Sequence, residues 1–66
     1  MTIQLNGEPA EFAGPLSIAA LLAQLDIDPR RVAVEHNLTV VRRHDYAAVT
    51  IAENDQVEIV NFVGGG

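Results

Sequence analysis

Thr2-Ile3-Gln4-Leu5 alternates polar and apolar residues, and a second short run, Glu8 to Phe12, follows across Asn6-Gly7. Alternation of this kind marks a half-buried strand. Asn-Gly between two such runs predicts a hairpin on a type I′ turn, because both central residues of that turn need positive φ. Ile3 and Leu5 share one face, which Ala10 and Phe12 join. Ala13-Gly14-Pro15 ends the second strand. The period then changes. Ile18, Leu21, Leu22 and Leu25 fall at i, i+3, i+4 and i+7, one stripe of an amphipathic helix. Ser17 is placed to N-cap it, and Leu16 to pack on Leu21 as a hydrophobic staple. At the far end Asp26 is expected in the left-handed region, with Ile27 folding back on Leu22 in a Schellman motif. Pro29 prevents continuation.

Val32-Ala33-Val34-Glu35-His36 reads as a strand, expected near the centre of a sheet. Asn37-Leu38 turns the chain into a short strand, Thr39 to Val41. Arg42 to Tyr46 has no strong period and reads as a turn or short helical connection, with the lone tyrosine, Tyr46, at the core edge. Ala47 to Ile51 leads to a turn at Glu53-Asn54-Asp55, and a last strand runs from Gln56 to Val63. The order β-β-α-β-β-β predicts an α+β domain, one helix packed on one face of a sheet of about five strands.

Composition narrows the classes available. Sixty-six residues make one small domain, which buries only about 60% of the surface its unfolded chain exposes. There is no cysteine, so disulfides, thiolate metal sites and iron–sulfur clusters are excluded within this chain. The core must come from the 48% of hydrophobic residues. No signal peptide is visible at Met1-Thr2-Ile3-Gln4, and no segment approaches spanning length, so no membrane role and a cytoplasmic location are expected. Formal net charge is −5, nine acids against four arginines, with no lysine. Nucleic acid is a poor partner for such a chain, and a basic protein surface a better one.

The last strand carries the candidate chemistry. Val57, Ile59 and Asn61 share one face; Glu58, Val60 and Phe62 share the other. If the first set faces the helix, Val60 and Phe62 lie on the opposite side, where with Val63 they form a docking patch with Phe62 as anchor. The alternative is that Phe62 closes the rim of the core. Beyond them stand Gly64, Gly65 and Gly66. Three glycines cost more backbone entropy to order than any other residues, which suits a tail threaded by a partner into a slot too narrow for a Cβ. The α-carboxylate of Gly66 is then the expected reactive group, since a Cβ there would crowd attack on the acyl carbon. A linker or remnant is the bland alternative. The domain is accordingly expected over residues 1–63, with 64–66 as a flexible tail.

Other chemistry is thin. His36, His44 and Asp45 match no metal-ligand spacing, and no metal site is expected. Arg30-Arg31 and Arg42-Arg43 read as solvated loop charges. There is no nucleophile triad, phosphate loop or framed carboxylate pair, so no catalytic residue is assigned.

The Asn-Gly hairpin, the helix capped at Ser17, Val32-Ala33-Val34-Glu35-His36-Asn37 and the run Val57-Glu58-Ile59-Val60-Asn61-Phe62-Val63-Gly64-Gly65-Gly66 together resemble the ThiS family. These are the sulfur carriers of thiamine biosynthesis, β-grasp relatives of ubiquitin, and the resemblance covers the whole chain. Three positions depart from the family pattern. Leu38 stands where Gly often follows the hairpin asparagine, Glu53-Asn54-Asp55 replaces a frequent Asp-Gly-Asp, and Arg42 replaces a frequent proline. Asn54 is a mild change, because Asn also tolerates the left-handed region; Leu38 leaves the type of its turn open.

The resemblance implies a protein co-substrate and not an enzyme. A ubiquitin-activating-like adenylyltransferase of ThiF type would adenylate Gly66, with ATP and Mg held by that partner and no cofactor bound by this chain. A persulfide sulfur donor would convert the adenylate to a thiocarboxylate, and a thiazole synthase of ThiG type would take the sulfur. Gly64 and Gly65 would thread the tail. Carriers for molybdopterin or cysteine synthesis, or a modifier or interaction module without sulfur, are the alternatives.

Overall fold

The computed structural model describes residues 1–62. The expectations for Val63, Gly64, Gly65 and Gly66, and the boundary drawn at residue 63, lie outside the described residues.

Strands β1 (Thr2–Leu5) and β2 (Glu8–Glu11) form the first hairpin. Asn6 and Gly7 both have positive φ, 52° and 83°, as a type I′ turn requires. Strands β4 (Val32–His36) and β5 (Thr39–Val41) form the second. Strand β7 (Gln56–Asn61) lies between the hairpins, parallel to β1 and antiparallel to β4. The sheet order is β2-β1-β7-β4-β5, so β7 holds the centre and β4 is interior beside it. With one helix across one face, this is the α+β domain that the residue pattern predicts and the ubiquitin-like β-grasp that the family resemblance implies.

Helix α1 (Ile18–Gln24) begins as its sequence requires. The Ala20 N–H donates to Ser17 Oγ at 3.0 Å. The N–H groups of Ile18 and Ala19 donate to the carbonyls of Val49 and Tyr46, so three otherwise orphaned donors of the first turn are satisfied. It ends in a complete Schellman motif: Asp26 adopts φ 60°, its N–H donates to Ala23 O, and Ile27 N–H donates to Leu22 O.

The core is continuous from helix to sheet. Ile18, Leu21 and Leu22 from α1 meet Ile3, Val34 and Val57 from three adjacent strands, and Val32, Tyr46 and Ile51 complete it. No charged side chain is buried among the described residues. Leu25 departs from the expected stripe and is exposed. The helix ends at Gln24, which leaves Leu25 as the C-cap beyond the last covered turn. Tyr46 is not at the core edge but inside it, 4% exposed, because the helical turn Arg43–Asp45 tips its ring inward.

Two short strands were not foreseen. β3 (Leu16–Ser17) pairs with β6 (Thr50–Ile51) as a small second sheet at the mouth of the helix. Two residues carry no period to read. No helix of the described residues is long and apolar enough to cross a membrane.

The second hairpin settles the Asn37-Leu38 turn. Both residues have positive φ, 51° and 71°, so it too is of type I′, with an 82% exposed leucine where glycine serves best. A side chain in that region costs about 1–2 kcal/mol, and so exposed a leucine buries little that offsets it. Leu38→Gly is expected to stabilise the fold by about 1 kcal/mol, after allowance for glycine's greater unfolded entropy. For a domain of this size that raises Tm by about 4–8 °C, which a thermal melt reads directly.

Candidate functional site

The site is the end of the sheet at which β7 finishes. Both pairings of β4 are antiparallel, so β4 begins where β5 and β7 end. Asn61 lies opposite Val32, and one more bond, Phe62 N–H to Arg31 O at 2.9 Å, carries the strand's ladder to the last described residue. The alternation expected of this strand holds. Val57 is fully buried and Ile59 half-buried beneath the helix, while Val60 and Phe62 are 59% and 54% exposed. Val60 faces Ala33 across the ladder, a partner too small to cover it. Phe62 lies over a depression it shares with Pro29, Val41 and Tyr46. Of the two readings open for Phe62, the structure has it exposed; Val63, the third residue of the expected patch, lies outside the described residues.

The start of β7 is held differently. His36 Nε2 and Asp55 Oδ2 are 2.7 Å apart, both side chains largely buried. The same Asp55 oxygen accepts the Ala52 N–H at 2.9 Å. That backbone bond, followed by the bond to His36, holds the Asp55 carboxyl below the usual carboxylate range. Asn37 Oδ1 accepts the Gln56 N–H beside it. His36 is thus a clasp between the second hairpin and the turn into β7, where the sequence showed only the last residue of a strand. A separation of 19 residues offers no local signal for that contact. His44 stands apart from it, 3.6 Å from Asp45 and exposed. The described residues contain no group of three side chains able to hold a metal.

Sequence reading also missed where the arginines go. The turn Pro29–Arg31 precedes β4 and Arg42-Arg43 follows β5, so antiparallel pairing brings all four to the end where β7 finishes. Asp28 accepts from the Arg30 backbone and, through both carboxylate oxygens, from its guanidinium, which pushes the Asp28 carboxyl down to about 2.

The arrangement offers an anchored strand and an exposed aromatic beside its end and, among the described residues, no assembled acid, base or nucleophile. With that geometry in place, the chain can be compared with known proteins. The model of the ThiS family matches residues 3–66. The chain belongs to the ThiS family. The ThiS protein of Geobacter metallireducens, a thiamine biosynthesis protein of solved crystal structure, superposes with a TM-score of 0.88 at 35% identity, each chain covered completely. The sulfur carrier protein ThiS of Bacillus subtilis is 35% identical over 65 residues, covering 97% of this chain and 98% of that one. A thiazole synthase of Paramagnetospirillum magneticum is 44% identical over all 66 residues. The chain spans only about a fifth, 20%, of the length of the thiazole synthases it matches.

The clasp at the start of β7 gives the fold a pH dependence. A carboxyl whose folded pKa is depressed contributes stability above its ordinary range and loses it as pH falls through the folded value. Asp55→Asn is expected to cost about 1.5–3 kcal/mol at neutral pH, the scale of hydrogen bonds to a charged group. The difference from wild type should shrink as pH falls below the normal aspartate range. Urea melts at a series of pH values measure it, and a gap independent of pH would contradict the assignment.

Proposed function

We propose that the chain is a sulfur carrier of thiamine biosynthesis whose reacting group is the carboxylate of Gly66. The observation that carries the reading is the path of β7. The strand is bonded on both sides, is pinned beneath the helix by Val57, and continues in sequence directly into Val63-Gly64-Gly65-Gly66. A rigid scaffold of this kind presents a side-chain-free terminus to a partner and leaves the chemistry there. Membership of the ThiS family supports the same reading.

In the proposed sequence a carboxylate oxygen of Gly66 attacks the α-phosphorus of ATP, and the bond to the β-phosphate breaks with loss of pyrophosphate. ATP, Mg and the charge that stabilises the leaving group belong to a ThiF-type adenylyltransferase. A persulfide sulfur then attacks the acyl carbon and expels AMP. A thiol cleaves the resulting acyl disulfide, which leaves a thiocarboxylate on Gly66 and a disulfide on the donor side. The thiocarboxylate needs no local base, because it is ionised at neutral pH. Gly64 and Gly65 let the tail pass through a narrow slot, and Val60, Phe62 and Val63 dock beside it. Thiazole synthase is the recipient this reading favours, supported by the two thiazole synthases that contain a stretch resembling the whole of this chain. Tethering the sulfur replaces free sulfide by a locally concentrated donor. The proposed setting is cytoplasmic.

Incubation with ATP, a ThiF-type enzyme and a persulfide donor is expected to raise the intact mass by the difference between sulfur and oxygen. Adducts on target lysines would instead indicate a modifier. Deleting Gly66 should leave the melt unchanged and abolish charging; a truncated chain that still took up sulfur, or mature protein with peptide beyond Gly66, would overturn the reading. Phe62→Ser is expected to leave stability within about 0.5 kcal/mol, as an exposed substitution does. It should weaken the complex with the activating enzyme by about 1–2 kcal/mol, the scale of an aromatic anchor, measured by titration calorimetry.

A further inference from the structure

Loops 28–31 and 42–45 contain all four arginines of the chain and only two acids, Asp28 and Asp45. Everywhere else the chain has seven acidic side chains and neither lysine nor arginine. Charge is therefore segregated. The chain is acidic as a whole and cationic at one end, and the register of β4 with β5 and β7 makes that end the one from which the tail continues. Arg30 and Arg31 are 75% and 82% exposed even though Asp28 accepts from the first and lies 3.8 Å from the second. Arg42 and Arg43 are exposed and take part in no ion pair among the described residues. Arg30, Arg43 and exposed Phe62 border one depression.

We infer that Arg30, Arg31 and Arg43 form a cationic collar around Phe62 that seats on an acidic rim, the mouth of the slot into which the activating enzyme draws the tail. The inference rests on the carrier reading and adds the chemistry of the partner's surface. Two arguments select a protein rim over other anions. Gly66 lies four residues past Phe62, so an extended tail places its carboxylate up to about 14 Å away. The collar then stays at the mouth while the α-phosphate is met deep in the slot, and the arginines do not serve as phosphate ligands in the reaction. Nucleic acid would have to approach a body of net charge −5, which repels it. A protein rim of acidic residues meets the collar alone. Segregated charge also sets orientation, since the acidic body is pushed from that rim while the tail end is drawn to it.

The test is steady-state adenylation by the organism's own ThiF-type enzyme at several salt concentrations, with melts confirming that each variant folds. Arg31→Gln/Arg43→Gln is expected to raise KM for the carrier about tenfold at low salt with kcat unchanged, and to flatten the rise of KM with salt. Gln4→Glu/Thr39→Glu lowers net charge equally at exposed positions away from the collar and should leave KM at the wild-type value. Failure takes distinct forms. An unchanged KM for the arginine variant, or an equal rise in the control, overturns the collar while the carrier reading stands. Arginine-dependent binding of a labelled oligonucleotide by the wild type would reassign the patch to phosphate. Wild-type protein that is never adenylated removes the carrier reading and the collar together.

Discussion

The fold depends on β7 lying at the centre of the sheet. A strand at an edge could fray; β7 is bonded to β1 on one side and β4 on the other, with Val57 sealed under the helix. Its neighbours are shorter than it needs. β1 pairs with it only through Gln4 and Leu5 before turning away, and β4 turns away after His36. In both places the first asparagine of the turn extends the ladder. Asn6 donates its N–H to Val57 O and accepts the Ile59 N–H on its side chain; Asn37 does the same to Gln56 O and Gln56 N–H. The residue that permits each tight turn thus also satisfies a backbone donor that the departing strand would leave unpaired.

This economy follows from size. A domain of 66 residues without cysteine has no covalent staple, and its core among the described residues is nine side chains, none charged and only Tyr46 with a polar atom. Short connections are then needed, and short connections need positive φ. Among the described residues, five other than glycine take it: Asn6, Asp26, Asn37, Leu38 and Asn54. Four are Asn or Asp, whose short polar side chains tolerate the region. Leu38 has no such compensation, and nothing in the structure explains why leucine stands there.

The two ends of β7 do different work. At its start, the contact of His36 with Asp55 and the bonds of Asn37 close the hairpin onto the strand. At its finish the packing opens, leaving Val60 and Phe62 uncovered, with Arg30 and Arg43 beside Phe62. Rigidity at one end and an exposed, charged finish at the other suit a domain whose proposed reacting group lies further along the chain. The body's part in that proposal is orientation and recognition, set by where the central strand points.

Much of this was legible in residue order because local rules governed it. Asn6-Gly7 specified its turn, Ser17 its cap, and Asp26 with Ile27 the helix stop, each through contacts spanning a few residues. Alternation from Val57 to Phe62 showed which side chains share a face. Contacts between distant residues were not legible, since no periodic pattern encodes them: the pairing of β3 with β6, the burial of Tyr46, the meeting of His36 with Asp55. Parity along the last strand could say that Val60 and Phe62 lie together but not whether anything covers them; that was decided by Ala33 opposite Val60, a tertiary neighbour too small to reach over it. The arginines make the same point. Residue order showed two pairs of charges in separate loops, and only the antiparallel register, a property of the assembled sheet, put both pairs at the end where β7 leaves it.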